Sequence, residues 1–290
     1  MPREVTAFSN STVKLLRALR DKKARRAEGL FLAEGLRIIA EARDSGRLPQ
    51  IIAFSPDGAR HPLAAEIIAQ AEAAGADAIE TTPDILAKMS GKDNPQMLLG
   101  AYRQPDTSLE RIVRTKSPIW IVAQALRDPG NLGTILRTGD AVGAGGLILV
   151  DDCVDPFSVE AVRASMGALF TQDIAITRWD AFIAWLRDEQ GQLVGTSLNA
   201  SIDYRLPAYT APTFLLIGNE AHGLPPAYEG ECDVRVKIPM MGKADSLNAA
   251  MASVVMAYEV WRQRSPAQGH EASGGRPSPG ASAPENNKPG

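Results

Sequence analysis

The sequence contains few cysteines, few histidines and no long apolar segment, and each shortage excludes a class of protein. Cys153 and Cys232 are the only cysteines, too few for a disulfide framework or a cysteine-rich zinc site. With three histidines in the chain, no set of metal ligands is evident and we expect no metal. No apolar run approaches the roughly 18 residues of a membrane helix, and the first residues lack the apolar stretch of a secretory signal. These absences predict a soluble, reduced, cytoplasmic protein that does not enter a membrane.

The charge balance excludes a protein that is basic over its whole surface. Of 290 residues, 31 are Lys or Arg and 34 are Asp or Glu, which gives a formal net charge of −3. The apolar content of 44% is ample for a buried core. A locally basic face stays compatible with this balance, because net charge describes the whole chain and not one surface.

One segment, residues 14–26, departs from this balance. It carries seven basic residues and a single acidic one, Asp21, and its leucines recur at helical spacing. This pattern predicts an amphipathic helix with a basic face. Three interpretations stay open: an ordinary solvated helix face, a face that binds phosphate groups, and a mitochondrial transit peptide. The candidate phosphate-binding residues are Lys14, Arg17, Arg20, Lys22, Lys23, Arg25 and Arg26.

Strand-like and helix-like segments alternate along the chain and predict two α/β units joined by a linker. The first unit comprises residues 1–105, the polar linker residues 106–116 and the second unit residues 117–264. Predicted strands of the first unit are 30–33, 50–54, 78–81 and 97–101, and its helices are 36–43, 63–74 and 83–89. Predicted strands of the second unit are 119–123, 146–150, 193–196 and 214–217, and a long final helix covers 247–262.

The last 26 residues, 265–290, are predicted to be disordered. They contain five Gly, five Pro, four Ser and four Ala, with no periodic apolar residues. A segment of this composition has too little apolar surface to offset the entropy of ordering.

The first of three candidate functional loops follows the first strand of the second unit. Gly130 and Gly133 let the backbone turn tightly and approach a ligand. Asn131 offers an amide donor and acceptor, and Arg137 lies one to two turns into the following helix. Asp151 ends the next strand, where dinucleotide-binding folds have the carboxylate that binds a ribose. A dinucleotide site is therefore one interpretation of this loop, although the pattern GxGxxG is absent. The alternative is an ordinary strand-to-helix turn.

The second loop follows the strand at 214–217 and begins with Gly218, Asn219 and Glu220. Open α/β sheets bind ligands at the carboxyl ends of their strands, so polar residues at this point indicate a site. His222 in the same loop is either a general base or an ordinary loop histidine.

The third loop, residues 236–248, leads into the final helix. Ser246 or Asp245 is the predicted N-cap of that helix. Alternatively, the bend from Gly242 to Asn248 wraps a ligand with backbone amides and carbonyls.

Taken together, the three loops resemble motifs of the SpoU/TrmH branch of the SPOUT RNA methyltransferases. NxGxxxR follows one strand, GNExxG follows another, and IPMxGxxxSLN opens the terminal helix, in the family's order and spacing. The resemblance covers residues 117–264. The first unit is similar to the family's accessory RNA-binding domain, a small ribosomal-protein-like α/β domain, through the segment GLFLAEG and the strand–helix order.

The resemblance implies a parallel-sheet α/β/α domain with a deep trefoil knot that binds S-adenosylmethionine (AdoMet). The implied reaction methylates a ribose 2′-hydroxyl in structured RNA, either rRNA or tRNA. The implied assembly is a homodimer whose terminal helices pack together close to the active site. Matching positions in the active site are Asn131, Arg137, Glu220, Ser246 and Asn248. Matching positions in the cofactor pocket are Thr196, Gly218, Ile238 and Leu247. The basic residues of segment 14–26 are then candidates for RNA binding.

The family assigns activation of the hydroxyl to the position of Arg137, but a guanidinium with a pKa above about 12 is a poor base. We expect Arg137 to hold the adjacent phosphate and stabilise the developing alkoxide, while phosphate or water accepts the proton. No metal is required. Two alternatives stay open: a catalytically silent RNA-binding relative and a dinucleotide oxidoreductase.

The final helix also predicts the homodimer. It carries more apolar surface than one domain face needs, although all of this surface packing within one chain is the alternative. The apolar residues are Leu247, Met251, Val254, Val255, Tyr258 and Trp261.

Overall fold

The computed structural model describes residues 2–264, which form two α/β halves with one sheet each. The N-terminal half, residues 2–103, has a five-stranded sheet in the order β1-β4-β3-β5-β2. Strands β1, β4 and β3 run parallel, whereas β5 pairs antiparallel with both β3 and β2. The strands are β1 (Arg3–Val5), β2 (Leu30–Glu34), β3 (Ile51–Phe54), β4 (Asp77–Thr81) and β5 (Leu98–Arg103). The helices are α1 (Ser11–Ala18), α2 (Lys22–Glu28), α3 (Leu36–Asp44), α4 (Pro56–Arg60), α5 (Pro62–Ala73) and α6 (Pro83–Ser90).

The C-terminal half, residues 117–264, contains a sheet of seven parallel strands in the order β10-β12-β9-β11-β6-β7-β8. The predicted α/β class with a parallel C-terminal sheet is therefore confirmed. The strands are β6 (Ile119–Gln124), β7 (Gly146–Val150), β8 (Asp173–Thr177), β9 (Gln192–Thr196), β10 (Ile202–Asp203), β11 (Thr213–Ile217) and β12 (Val234–Lys237). The helices are α7 (Pro129–Ala141), α8 (Val159–Ser165), α9 (Trp179–Asp188), α10 (Pro226–Gly230) and α11 (Ala249–Arg264).

The strongest sequence signals mark the centre of the larger sheet. Every residue of β6, β7 and β11 is buried, as expected for parallel strands that are covered on both faces. Helix α7 covers this centre and begins at Pro129, whose fixed φ angle suits a first helical position. Asp128 caps α7 by accepting a hydrogen bond of 2.6 Å from the Asn131 amide. The polar loops that follow β6, β7 and β11 therefore begin at the ends of fully buried strands.

The apolar core continues from one half into the other. One cluster of buried side chains contains Phe31 and Ile39 of the N-terminal half together with Leu132 and Phe157 of the C-terminal half. The connecting segment between the sheets holds two short 3-10 turns, Leu109–Arg111 and Arg114–Lys116. Among residues 2–264, no helix is both long and apolar enough to cross a bilayer.

The structure corrects the prediction of one amphipathic helix in segment 14–26. The segment forms two helices, α1 and α2, because Asp21 starts a new helix by accepting a hydrogen bond of 2.7 Å from the Lys23 amide. Strands β1, β8, β10 and β12 were absent from the prediction; they are short or carry polar residues. The final helix begins at Ala249 and not at Leu247. The predicted disorder of residues 265–290 lies outside the described residues.

Candidate active site

Three loops meet at one edge of the parallel sheet, where β6, β11 and β12 end. Because neighbouring parallel strands end at the same edge, segments that are far apart in sequence become adjacent there. The loops are residues 125–128 after β6, 218–224 after β11 and 238–248 after β12. Strand β9 ends at this edge as well and brings Thr196 to it.

The loop after β11 is held in one conformation by Asn219. The side-chain oxygen of Asn219, Oδ1, accepts hydrogen bonds from the backbone amides of Ala221 (2.9 Å) and His222 (3.2 Å). The side-chain amide donates to the backbone oxygen of Ala125 at 2.8 Å, which ties the loop to the end of β6. Sequence reasoning singled out the motif that contains Asn219 but assigned it no role.

Gly218 is required at the start of this loop for a steric reason. A Cβ atom on Gly218 would lie 2.5 Å from the carbonyl carbon of Gly223, closer than any side chain permits. The backbone of Asn219 pairs with that of Gly223 through hydrogen bonds of 3.2 and 2.9 Å. The loop therefore folds back on itself and leaves open space beside the strand ends.

That space is a cavity of about 300 Å³ between the ends of β9, β11 and β12 and the loop 238–248. All four predicted cofactor positions line it, as do two of the predicted active-site positions. These six residues are Thr196, Gly218, Glu220, Ile238, Ser246 and Leu247. Ser197 and Glu229 also line the cavity and were missed, because no motif marks them. Met240 lines it too; it belongs to the third motif but was assigned no role. Ser197 donates a hydrogen bond of 2.6 Å to Glu229, so this wall is polar and ordered.

Asn131 lies beside the cavity and not in its lining. Its side-chain amide donates a hydrogen bond of 3.1 Å to Glu220, which does line the cavity. This contact joins the first turn of α7 to the loop after β11. A wider cleft of about 720 Å³ shares the segment 219–224 and opens beside Arg127 and Asp128.

Arg137 is exposed on α7, outside the lining of either cavity. Within residues 2–264 its guanidinium has neither a hydrogen bond nor an ion pair, so it is free to bind an anion. Nearby, Arg127 forms an ion pair of 2.7 Å with Asp152 and holds the pKa of that carboxyl below its usual range.

Asn248 caps the final helix, a role that the sequence assigned to Ser246 or Asp245. Its side-chain oxygen accepts a hydrogen bond of 2.7 Å from the Met251 amide, three residues into the helix. Asn248 does not line the cavity, whereas Ser246 does. The predicted N-cap is therefore wrong, and the structure leaves Ser246 free of that task.

The carboxylate of Asp151 already accepts hydrogen bonds from other residues of the chain. Asp151 has a φ angle of 64° and accepts hydrogen bonds from the Tyr228 hydroxyl (3.0 Å), Gln124 (3.2 Å) and the Trp179 amide (3.0 Å). A dinucleotide site would need this carboxylate for a ribose. The observed contacts remove the residue on which that alternative depended.

The two cysteines are not poised for chemistry. Burial raises the pKa of Cys153 to about 11 and that of Cys232 to about 12, so both are thiols at neutral pH. In the part of the chain that the structure describes, no group of three or more His, Cys, Asp or Glu side chains is arranged to hold a metal ion.

Six of the seven candidate RNA-binding residues are exposed on α1, on α2 or between them. Arg25 is the exception. Its side chain is 4% exposed and forms an ion pair of 2.6 Å with Asp155 in the C-terminal half. A guanidinium buried in this way does not reach an RNA phosphate, because its donors already have partners. For Arg25 the structure therefore corrects the prediction of a phosphate contact.

Comparison with known families matches both halves of the chain. The SpoU rRNA methylase family model matches residues 118–258, and the model of the MRM3-like substrate-binding domain matches residues 10–100. A 23S rRNA uridine 2′-O-methyltransferase of Streptomyces viridochromogenes is 32% identical over 252 residues, covering 84% of this chain and 86% of the relative. A 23S rRNA guanosine 2′-O-methyltransferase of Bacillus subtilis is 27% identical, covering 89% of this chain and 99% of the relative.

A solved structure shares the architecture of both halves. The AdoMet-bound rRNA methyltransferase from Sinorhizobium meliloti superposes with a TM-score of 0.84 at 38% identity. The superposition covers 91% of this chain and 99% of that protein. The similarity therefore extends over both halves and their connection.

Proposed function

The chain belongs to the SpoU family of rRNA methylases and is an AdoMet-dependent RNA ribose 2′-O-methyltransferase, and on this premise we propose that its substrate is ribosomal RNA. The two curated relatives named above both methylate 23S rRNA. The match of residues 10–100 to a substrate-binding domain supports an RNA contact in the N-terminal half. The catalytically silent alternative receives no support, since these relatives are named as methyltransferases.

The observation that supports AdoMet-dependent activity is the cavity at the ends of β9, β11 and β12. Its volume of about 300 Å³ is at the lower end of small-molecule sites, which span about 300–1,000 Å³. The side chains of Ile238 and Leu247 give it apolar walls, and the backbone at Gly218 approaches without a side chain. An adenine ring needs such apolar walls and backbone partners, so these residues fit AdoMet.

We assign the cofactor to Thr196, Gly218, Ile238 and Leu247. When bound, AdoMet supplies the electrophilic methyl group that the ribose oxygen receives. The chain itself has to orient the ribose and stabilise the charge that develops as the hydroxyl loses its proton. Ser246 and Glu220 border the same cavity, and we assign to them the orientation of the ribose.

Arg137 and the Asn131–Glu220 pair complete the proposed active site. Arg137 has no partner among residues 2–264, so its charge is available to the phosphate next to the target ribose. There it stabilises the developing alkoxide, and the phosphate or a water molecule accepts the proton. Asn131 positions the Glu220 carboxylate through their hydrogen bond of 3.1 Å. Asn248 acts from the start of α11, where it also caps the helix.

We also propose a trefoil knot and a homodimer. The path of the chain supports the knot: after β11 it passes β9 to form β12, and then returns to place α11 against α7, β6 and β11. Met251, Tyr258 and Trp261 support the dimer, because they expose apolar surface on one side of α11. Helix α11 packs on α7, so this interface would lie close to Arg137. A cytoplasmic location is part of the same proposal, because the two bacterial relatives named above act on 23S rRNA.

The decisive experiment is methyl transfer to ribosomal RNA. The purified chain is incubated with radiolabelled AdoMet and with rRNA from a strain that lacks the corresponding gene, and ribose methylation is mapped by nucleotide. We expect one methylated ribose that is also methylated in the wild-type strain and missing in the deletion strain. Methylation of tRNA in place of rRNA, or of a base in place of a ribose, contradicts the proposal.

A further inference from the structure

Arg25 occupies an unusual position at the contact between the two halves. Its Nε and Nη2 atoms donate to the Asp155 carboxylate at 3.2 and 2.6 Å. Its Nη1 atom donates to the backbone oxygens of Leu19 (3.0 Å) and Arg20 (2.7 Å), where the chain passes from α1 to α2. The guanidinium therefore fixes the start of α2 and, at the same time, attaches it to the C-terminal half.

Asp155 belongs to the active-site edge of the parallel sheet. It lies in the segment 151–158 that follows β7, and β7 is the neighbour of β6. Its second carboxylate oxygen accepts a hydrogen bond of 2.9 Å from the Phe157 amide. Phe157 packs against Phe31 of β2, with the ring centroids 5.2 Å apart. We call the Arg25–Asp155 pair and the Phe31–Phe157 contact the joint.

The joint leaves the other basic residues of α2 free. Lys22, Lys23 and Arg26 are exposed, and no ion pair holds them among residues 2–264. The pKa of Asp152 is lowered mainly by Arg127 and additionally by Lys22, so the charge of Lys22 acts at the C-terminal half. The exposed cations of α2 thus lie next to the loop that follows β7.

We propose that Arg25 is a positioning residue: its pair with Asp155 holds α2 against the active-site edge, so that RNA bound by the N-terminal half presents its ribose to the site. This inference rests on the proposed function and names the part of the chain that sets the placement of the RNA. Arg25 itself does not contact RNA, and its effect passes through α2.

A buried ion pair is well suited to this task. It is a weak source of net stability, because two charges lose their water, but it strongly disfavours any arrangement that separates the partners. The fork of a guanidinium also fixes an angle, since its donors lie in one plane. An apolar contact such as Phe31–Phe157 alone permits sliding between the two halves.

The test uses the full chain with Asp155→Asn and, separately, Arg25→Lys. Asp155→Asn keeps the acceptor for Phe157 and removes the charge; Arg25→Lys keeps the charge and removes the fork. We expect kcat/KM for in vitro transcribed 23S rRNA to fall at least tenfold in both variants. The Kd for AdoMet should stay within twofold of the wild type. The double variant should be no worse than the more impaired single variant, because both changes break one contact.

RNA affinity at several salt concentrations, measured on a third variant, Arg25→Gln, that removes the charge, separates positioning from direct contact. A positioning role leaves the slope of affinity against salt unchanged, because no phosphate contact is lost. If the slope of affinity against salt becomes flatter by the amount expected for one lost phosphate contact, Arg25 is an RNA ligand and the proposal is overturned. Unchanged kcat/KM in both variants overturns it as well.

Ile85→Val is the control for stability alone. Ile85 is buried in the N-terminal half and does not touch the joint. This variant should lower the melting temperature and keep kcat/KM within twofold at a temperature where all variants are folded. If Ile85→Val loses as much activity as Asp155→Asn, the effect is one of stability and the proposal fails.

The wild-type protein distinguishes this proposal from the proposed function. If the wild-type protein transfers no methyl group to the rRNA, the proposed function fails. The role of the joint is then tested by small-angle X-ray scattering, which does not depend on activity. Asp155→Asn is expected to increase the radius of gyration relative to the wild type. An identical radius in that case overturns the joint.

Discussion

At the scale of single residues, the proposed chemistry depends on a few polar side chains that the backbone holds at the strand ends. Asn131 and Glu220 are 89 residues apart in sequence and yet share a hydrogen bond of 3.1 Å. Asn219, directly before Glu220, holds the loop after β11 in place through three hydrogen bonds. Arg137 is the one proposed catalytic residue whose charge no neighbour in the described chain offsets.

Arg137→Ala is expected to lower kcat for methyl transfer by at least about 100-fold, the usual cost of losing one donor that stabilises a developing anion. The Kd for AdoMet should change no more than a few-fold, because Arg137 does not line the cofactor cavity. Turnover with radiolabelled AdoMet and calorimetry measure the two effects. Arg60→Ala, which changes an exposed arginine of the N-terminal half, is the control. Unchanged turnover removes Arg137 from the mechanism.

Asn248 has a structural role and a proposed catalytic one, and two variants separate them. Asn248→Ala should lower the free energy of unfolding by about 1 kcal/mol, since it removes the cap of α11. Asn248→Asp keeps a capping oxygen and should retain stability, but it lacks the amide donor and should still reduce methyl transfer. Thermal unfolding and turnover are measured on both. If Asn248→Asp keeps full activity, Asn248 caps the helix and has no catalytic role.

At the scale of the helices, α2 and α11 each carry one proposed interaction. Helix α2 presents exposed cations beside the C-terminal half, and α11 exposes Tyr258 and Trp261, which are 45% and 46% accessible. Buried α11 residues such as Met256 and Val260 pack within the chain, so the helix has an inner face and an outer one.

Changing Lys22, Lys23 and Arg26 to Gln should weaken RNA binding and flatten its salt dependence by about 0.7–0.9 per lost contact. AdoMet binding should not change, because the cofactor cavity lies in the other half. Arg25 is left in place, since its loss would disturb the joint. Fluorescence anisotropy at three salt concentrations measures the slope.

The matched control for this variant removes the same charge elsewhere. Arg60, Lys116 and Arg205 are exposed and ion-paired to acidic residues near them, and changing them to Gln should leave the slope as it is. If the α2 variant also keeps its affinity and slope, α2 is an ordinary solvated surface.

The proposed homodimer should have about twice the chain mass of 31.0 kDa in light scattering at micromolar concentration. Trp261→Glu should convert it to a monomer, because a charge would be buried without a partner in the interface. Val113→Glu, at an apolar residue that is 60% exposed in the segment connecting the two sheets, should stay dimeric. A wild-type mass of about 31 kDa contradicts the proposal.

At the scale of the whole molecule, the parts that the sequence predicted are those with a local signal. The buried strands β6 and β11 were predicted because both faces of a central parallel strand are apolar. Strand β12 has four residues, two valines that alternate with two charged residues, and this pattern is too short to predict a strand; pairing with β9 and β10 makes it one. Nothing in a basic segment marks Arg25 as buried, because its partner Asp155 is 130 residues away. Local motifs mark six of the residues that line the cavity, but the meeting of these residues depends on the strand order, which has no local signal.

Removing residues 265–290 is expected to leave the melting temperature and methyl transfer unchanged. Their composition favours a solvated coil, and the predicted catalytic unit ends at residue 264. Differential scanning fluorimetry and turnover on the shortened chain measure both properties. A melting temperature lower by several degrees would mean that this segment docks on the rest of the chain.

The position of α11 at the end of the fold has a consequence for synthesis on the ribosome. All five strands of the N-terminal sheet have left the exit tunnel before the catalytic half is half made, since β5 ends at Arg103. In contrast, Ala249, Met256 and Val260 complete the apolar core of the catalytic half and are translated after every strand of both sheets. The helices of the proposed RNA-binding surface are therefore synthesised well before the segment that completes the core beneath the proposed active site, and Asp155, which holds α2 in place, is made between the two.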